Sequence, residues 1–195
     1  MISHKRRNKI QDVVNQRQQG LVVVLEDIHD PHNAAAVLRS CEGFGVQDVY
    51  FIFENQEKFN PRKVGKLSSG ASNKWLTFHI FNSTEECLSE LHEKGYAVYA
   101  TILDNKAQSL YETDFQEEKI ALLFGNEHSG ITEKAARLSD HTMYIPMRGF
   151  VQSFNLSVTA SICLFEVTRQ RVKNNMLKPF DKAAQQDLLE DFLKR

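Results

Sequence analysis

Leu21-Val22-Val23-Val24-Leu25-Glu26-Asp27-Ile28-His29-Asp30-Pro31-His32-Asn33-Ala34-Ala35-Ala36-Val37-Leu38-Arg39 is the stretch that decides the fold class. Residues 21–25 form an unbroken run of aliphatic, mostly β-branched side chains, which reads as a strand buried on both faces. A polar turn follows. Pro31 then opens a helix, with Asn33 its expected N-cap and Gly43 or Gly45 near its end. Within that helix Val37 and Cys41 face the sheet, and at 100° per residue Arg39 lies nearly opposite both.

The same alternation continues outward. Residues 49–53 (VYFIF), 75–81, 96–103, 120–124 and 142–146 read as strands. Residues 85–94, 132–138, 155–171 and 178–195 read as helices, with Gly95 closing the first of them. Residues 5–18 make a polar helix whose thin stripe of Ile10, Val13 and Val14 needs a partner surface. Strands that alternate with helices predict an α/β fold with a mainly parallel sheet flanked by helices. Ligands in such sheets bind beyond the carboxyl ends of the strands. Chemistry is therefore expected in the loops after Leu25, Leu103, Phe124 and Pro146.

Composition narrows the class. The chain has 195 residues, 42% hydrophobic and 25% charged, an ordinary globular balance that excludes a disordered chain. One domain is expected, with a core at 21–171 and basic helical extensions at 1–20 and 172–195. Cys41, Cys87 and Cys163 are odd in number and lack metal-type spacing, so neither a disulfide framework nor a metal site is expected, and a reducing compartment fits better. No apolar run approaches the roughly 20 residues of a membrane helix. The basic N-terminus has no apolar segment behind it, so it does not read as a secretory signal, and a cytoplasmic location without membrane contact is expected. The net charge of −1 conceals basic ends on an acidic body. That pattern suits a polyanionic partner, although two solvated terminal helices explain it as well. Residues 54–74 form a long basic loop carrying Arg62, Lys63 and Lys66.

Three segments could carry chemistry. The first is the opening stretch, where Arg39 could hold a phosphate or carboxylate, or simply pair with Glu42. His29 and His32 lack a third ligand at suitable spacing, so turn chemistry explains them better than a metal. The second is Phe124-Gly125-Asn126-Glu127-His128-Ser129-Gly130-Ile131, a glycine-bounded turn between a strand and a helix. Gly125 allows a ligand close to the backbone, while Glu127 also suits a helix N-terminus. It is neither a P-loop nor a dinucleotide fingerprint. The third runs from Tyr144-Ile145-Pro146-Met147 to Gln152-Ser153-Phe154-Asn155-Leu156-Ser157. There Ser153 or Asn155 can cap a helix, yet Gln152, Ser153 and Asn155 also crowd beside Ile145, Met147 and Phe154, a combination suited to an adenine ring.

In this order the three segments resemble the motifs of the SpoU branch of the SPOUT RNA methyltransferases, and within it the TrmH type. The resemblance spans roughly residues 21–171. It implies a homodimer with a deep trefoil knot in its C-terminal part, dependent on S-adenosylmethionine (S-adenosyl-L-methionine). It places cofactor contacts at Thr101, Gly125, Ile145, Ser153 and Phe154, the last being Leu in many members. The catalytic positions map to Asn33, Arg39, Glu127, Ser153 and Asn155. The implied reaction moves a methyl group to a ribose 2′-OH of RNA rather than DNA, at the D-loop guanosine at position 18 of tRNA. Another tRNA or rRNA nucleotide, or an RNA-binding module without catalysis, are the alternatives. In the family the motif-one Arg is held to act as a general base. A guanidinium rarely sheds its proton, so Arg39 is expected instead to grip the adjoining phosphate and steady charge on the oxygen. RNA contacts are expected at Arg6, Arg7, Arg62, Lys63, Lys66, Arg169, Arg171 and Lys173.

Overall fold

The computed structural model describes residues 2–64, 72–104 and 106–195. In chain order the elements are α1 (His4–Asn15), β1 (Leu21–Glu26), α2 (Pro31–Gly43), β2 (Asp48–Ile52), β3 (Thr77–Phe81), α3 (Thr84–Glu93), β4 (Ala97–Thr101), β5 (Gln108–Ser109), β6 (Ile120–Phe124), α4 (Glu133–Leu138), β7 (His141–Tyr144), α5 (Leu156–Lys173) and α6 (Lys182–Lys194). The seven strands form one sheet in the order β3-β2-β1-β6-β4-β7-β5, parallel at every pairing.

Strand pleating sends alternate side chains to opposite faces. Leu21, Val23 and Leu25 of β1 face the layer of α2 and α5, with Val37, Cys41, Ala160, Leu164 and Val167. Val22 and Val24 face the other layer, with Leu88 and Leu91 of α3 and Ala135 of α4. Both faces being covered, β1 and β6 are buried at every position, as their unbroken apolar runs predict. Parallel pairing puts the carboxyl ends of β1, β4, β6 and β7 on one edge, so their following loops converge. All three thiols are free and buried, and burial pushes Cys41 and Cys163 up to about 12. Among the described residues no helix is long and apolar enough to cross a membrane.

The terminal helices find each other. Ile10 and Val14 of α1 pack on Leu189 and Phe192 of α6, a small core apart from the main one. Trp75 lies 5.0 Å from Phe192 by ring centroids, and an isolated antiparallel bridge joins Gln18 to Pro179. The stripe on α1 thus has its partner surface in the same chain.

Several expectations are corrected. The N-cap of α2 is Asp30, not Asn33: the Asp30 carboxylate accepts from His32 N–H at 2.8 Å, and Pro31 occupies the first turn, where its missing N–H costs nothing. Trp75 ends a 3-10 turn (Ser72–Trp75) rather than opening β3. The strand expected at 142–146 ends at Tyr144, and β5 was not anticipated. Arg171 is no RNA contact. It is only 1% exposed, and its guanidinium donates to the carbonyls of Gln19, Gly20 and Glu118 at 3.0, 2.8 and 3.1 Å. A group clamped on three internal carbonyls is out of reach of a phosphate. Lys66 and residues 68–71 lie outside the described residues.

Candidate active site

A cavity of about 580 Å³ opens at the carboxyl edge of the sheet. It is walled by residues 101–103 after β4, 125–131 after β6, and Tyr144, Ile145, Met147 and residues 152–156 after β7. All five expected cofactor contacts, Thr101, Gly125, Ile145, Ser153 and Phe154, line it, together with Glu127 and Asn155. Its size falls within the range of small-molecule sites. Leu103, Ile131, Ile145, Met147 and Phe154 supply apolar walls.

Each wall has its own local cause. In the loop after β6, Asn126 and Gly130 exchange backbone hydrogen bonds at 2.9 Å, and Gly130 has φ 71°. This folds the loop back on Gly125, where a Cβ would stand 2.3 Å from Gly130 C and from Ile131 N. Gly125 is thus demanded by the loop itself as well as by a ligand. Asn126 finishes the turn: Oδ1 accepts from His128 N–H at 2.8 Å, and Nδ2 donates to the Asp27 carbonyl at 2.7 Å. Asp27, at φ 50°, in turn accepts from the N–H groups of Glu54 and Asn55 at 2.8 and 2.9 Å. The loop after β7 is different. Among the described residues, no hydrogen bond involves residues 146–154, so the donors of Gln152 and Ser153 and of the backbone remain available to a ligand.

Glu127, Asn33 and Asn155 join the loops after β6 and β7 to the start of α2 in a directed chain. Glu127 accepts from His29 N–H at 3.0 Å and Asp30 N–H at 3.3 Å, sitting against the N-terminus of α2, where negative charge is favoured. Its Oε1 also accepts from Asn33 Nδ2 at 2.9 Å. Asn33 Oδ1 then accepts from Asn155 Nδ2 at 2.9 Å, and Asn155 Oδ1 caps α5 through Ser157 N–H at 2.9 Å. Both oxygens of Glu127 accept from N–H groups here, which fixes the orientation of both amides.

Arg39 stands apart. It is exposed on α2 and is not among the residues lining this cavity. Glu42 forms an ion pair with Arg17 at 3.6 Å. Ser153 lies in the cavity wall, separate from the Glu127–Asn33–Asn155 chain. Of the expected RNA contacts, Arg6, Arg7, Arg62, Lys63 and Lys173 are exposed. Arg62 stacks over Phe78 at 5.3 Å, and Arg169 is paired with Glu166 at 2.6 Å. His29 and His32 serve turns: their Nδ1 atoms meet Gln56 Oε1 and Asp30 Oδ1 at 3.3 and 3.1 Å.

Sequence reasoning assigned no role to Glu26. It is fully buried, and accepts from the hydroxyls of Thr84 and Thr132 at 2.7 and 2.8 Å and from Thr132 N–H at 2.8 Å. It thereby anchors the end of the Gly125 loop to β1. An acid closing a strand of five aliphatic residues was the available signal.

The profile of the SpoU rRNA Methylase family matches residues 20–165. A tRNA (guanosine(18)-2′-O)-methyltransferase of Thermus thermophilus is 38% identical over 97% of this chain and 96% of that protein. The crystal structure of the A. aeolicus TrmH/SpoU tRNA modifying enzyme superposes with a TM-score of 0.87 at 26% identity, covering 97% of this chain and 96% of that one. The SpoU methyltransferase AviRb from Streptomyces viridochromogenes, in complex with AdoMet, matches with a TM-score of 0.69 at 25% identity, over 83% of this chain and 61% of its own.

Proposed function

Because this chain belongs to the SpoU rRNA Methylase family, we propose that its cavity binds S-adenosyl-L-methionine and that it methylates a ribose 2′-OH of tRNA, at the D-loop guanosine 18 named for its relatives. One observation carries this reading. The loops after β4, β6 and β7 enclose a single cavity, and the Glu127–Asn33–Asn155 chain ties two of those loops to the start of α2. The donor set fits the cofactor: apolar walls for the adenine, and unengaged backbone and side-chain donors in residues 146–154 for its polar groups.

When bound, the cofactor supplies a sulfonium-activated methyl group. The protein has to align the sugar hydroxyl with it and favour loss of the hydroxyl proton. Thr101, Gly125, Ile145 and Phe154 hold the cofactor, largely through backbone groups, and Ser153 contacts it or the ribose. Glu127, Asn33 and Asn155 keep the loops in register. Arg39 grips the phosphate beside the target ribose and stabilises charge developing on the oxygen, while the hydroxyl proton leaves to that phosphate or to water.

The site works in a homodimer. Val158, Phe165 and Val172 are 43%, 57% and 57% exposed on α5. With the partly buried Ile162 they form one stripe at helical spacing, which suits a second copy of the chain. Arg39, on the outer side of neighbouring α2, then serves the cavity of the partner. The catalytic core is residues 21–171, and its passage from β4 to α5 suits the family's trefoil knot. The extensions at 1–20 and 172–195 and the loop carrying Arg62, Lys63 and Lys66 hold the tRNA. With a tRNA substrate and three free thiols, the protein works in the cytoplasm.

Incubation with S-adenosylmethionine and unmodified tRNA transcripts, followed by mass-spectrometric mapping of methylated riboses, tests this. The expected product is a single 2′-O-methylguanosine at position 18. Methylation confined to ribosomal RNA would replace the substrate, and no methyl transfer to any RNA would overturn the reading.

A further inference from the structure

Phe150 is 108% exposed, so its ring buries nothing within the chain. It belongs to the segment whose other residues, Met147, Gln152, Ser153 and Phe154, wall the cavity. Its neighbours Arg148, Gly149 and Gln152 are exposed too, and none of them makes a hydrogen bond among the described residues. The segment is nevertheless held at both ends. Leu110 N–H donates to the Tyr144 carbonyl at 2.8 Å on one side, and Asn155 is fixed by Asn33 on the other. A bare aromatic ring beside a cation, presented on a tethered loop at a catalytic cavity, is the pairing that receives nucleobases: the ring offers a face for stacking, and the guanidinium meets the phosphate.

The apolar stripe of α5 offers a contrast. Val158, Ile162, Phe165 and Val172 share one helix face and suit a broad apolar contact. Phe150 and Val151, the latter 63% exposed, form an apolar pair framed by Arg148-Gly149 and Gln152-Ser153, and a dry interface over this pair would also bury the charge of Arg148 and the amide of Gln152, which an RNA strand can engage. A guanosine in a folded tRNA loop must leave its neighbours before its 2′-OH can be aligned, and a protein ring can replace the stacking it loses.

Resting on the methyltransferase reading above, we propose that Phe150 is a substrate-binding residue on the RNA side of the cavity. Its ring stacks on the base of the target nucleotide or of the one beside it, while Arg148 pairs with the adjoining phosphate. The loop thus has two sides, with Ser153 and Phe154 turned to the methyl donor and Arg148 and Phe150 to the RNA.

The test uses the full-length protein and compares wild type with Phe150→Ala, Phe150→Trp and Arg148→Ala. Read out are KM and kcat for tRNA transcript, cofactor affinity by calorimetry, and mass by light scattering. Phe150→Ala is expected to raise KM for tRNA roughly 10-fold or more, with cofactor affinity and mass unchanged. Phe150→Trp is expected to keep KM near wild type and to show emission quenched by tRNA beyond the Trp75 background. Arg148→Ala is expected to lower the salt slope of tRNA binding by about 1. Unchanged KM in Phe150→Ala overturns the proposal, and so does a fall in mass or in cofactor affinity, which would assign the ring to the partner copy or to the donor. Wild type inactive on every RNA would instead remove the methyltransferase reading itself.

Discussion

A methyl group added at Gly125 has nowhere to go, because the atoms it would meet at 2.3 Å are backbone and cannot swing aside. Gly125→Ala must therefore open the turn that forms one wall of the cavity. The expected result is at least a 10-fold loss of cofactor affinity by calorimetry, with the sheet intact by circular dichroism. Asn155 permits a finer test. Asn155→Asp keeps an oxygen to cap α5, since Asp is as good an N-cap as Asn. It also places a carboxylate against Asn33 Oδ1, which is already an acceptor. If Asn33 flips to donate, its oxygen meets Glu127 instead, so either way two acceptors oppose each other. Single-turnover methylation should fall at least 10-fold, while Tm stays within a few degrees of wild type. Arg171→Ala should behave in the opposite way. Removing a guanidinium bound to three carbonyls costs about 3 kcal/mol, a Tm drop of roughly 6–12 °C in a chain of this size. The salt slope of tRNA binding should not change, whereas Arg6→Ala or Arg7→Ala should each reduce it by about 1 without touching Tm.

At the scale of elements, α5 shows what a sequence does and does not disclose. Ala160, Leu164 and Val167 mark its core face, and Arg171 continues that same face, seven residues after Leu164. Its position announced burial, but its charge suggested RNA; helical spacing was the better guide. β1 and β6 were legible because strands covered on both faces must be apolar throughout. β5 was not, since Gln108 and Ser109 carry no pattern and pair only because β7 lies beside them. The three loops of the site were legible as ends of parallel strands. Their connections were not: Asn33 meets partners 94 and 122 residues away, and such a hydrogen bond exists only once the sheet has assembled. The outward stripe of α5 leads to its own prediction. If the proposed homodimer forms through this stripe, Phe165→Glu should convert it to monomer by light scattering. Methyl transfer should then fail even at saturating cofactor, because on the proposed arrangement each cavity would lose the Arg39 of the partner copy.

At the scale of the whole molecule, the protein is polarised. The cavity lies at the carboxyl edge of the sheet, at the start of α2, while Arg17 caps the far end of that helix by donating to the carbonyls of Glu42 and Val46 at 3.3 and 3.0 Å. The basic N-terminal helix is fixed by α6 and, through Phe192 and Trp75, reaches the end of the basic loop. These charged surfaces are therefore held relative to one another by a few aromatic contacts. That arrangement sets an order of events during synthesis. Within this sequence α1 is translated before every strand and α6, which covers its apolar stripe, after all of them, so α1 stays without that mate while the sheet is made. If the basic extensions hold tRNA as proposed, that grip assembles only once α6 is made, and a chain still short of α6 has little hold on the RNA around it.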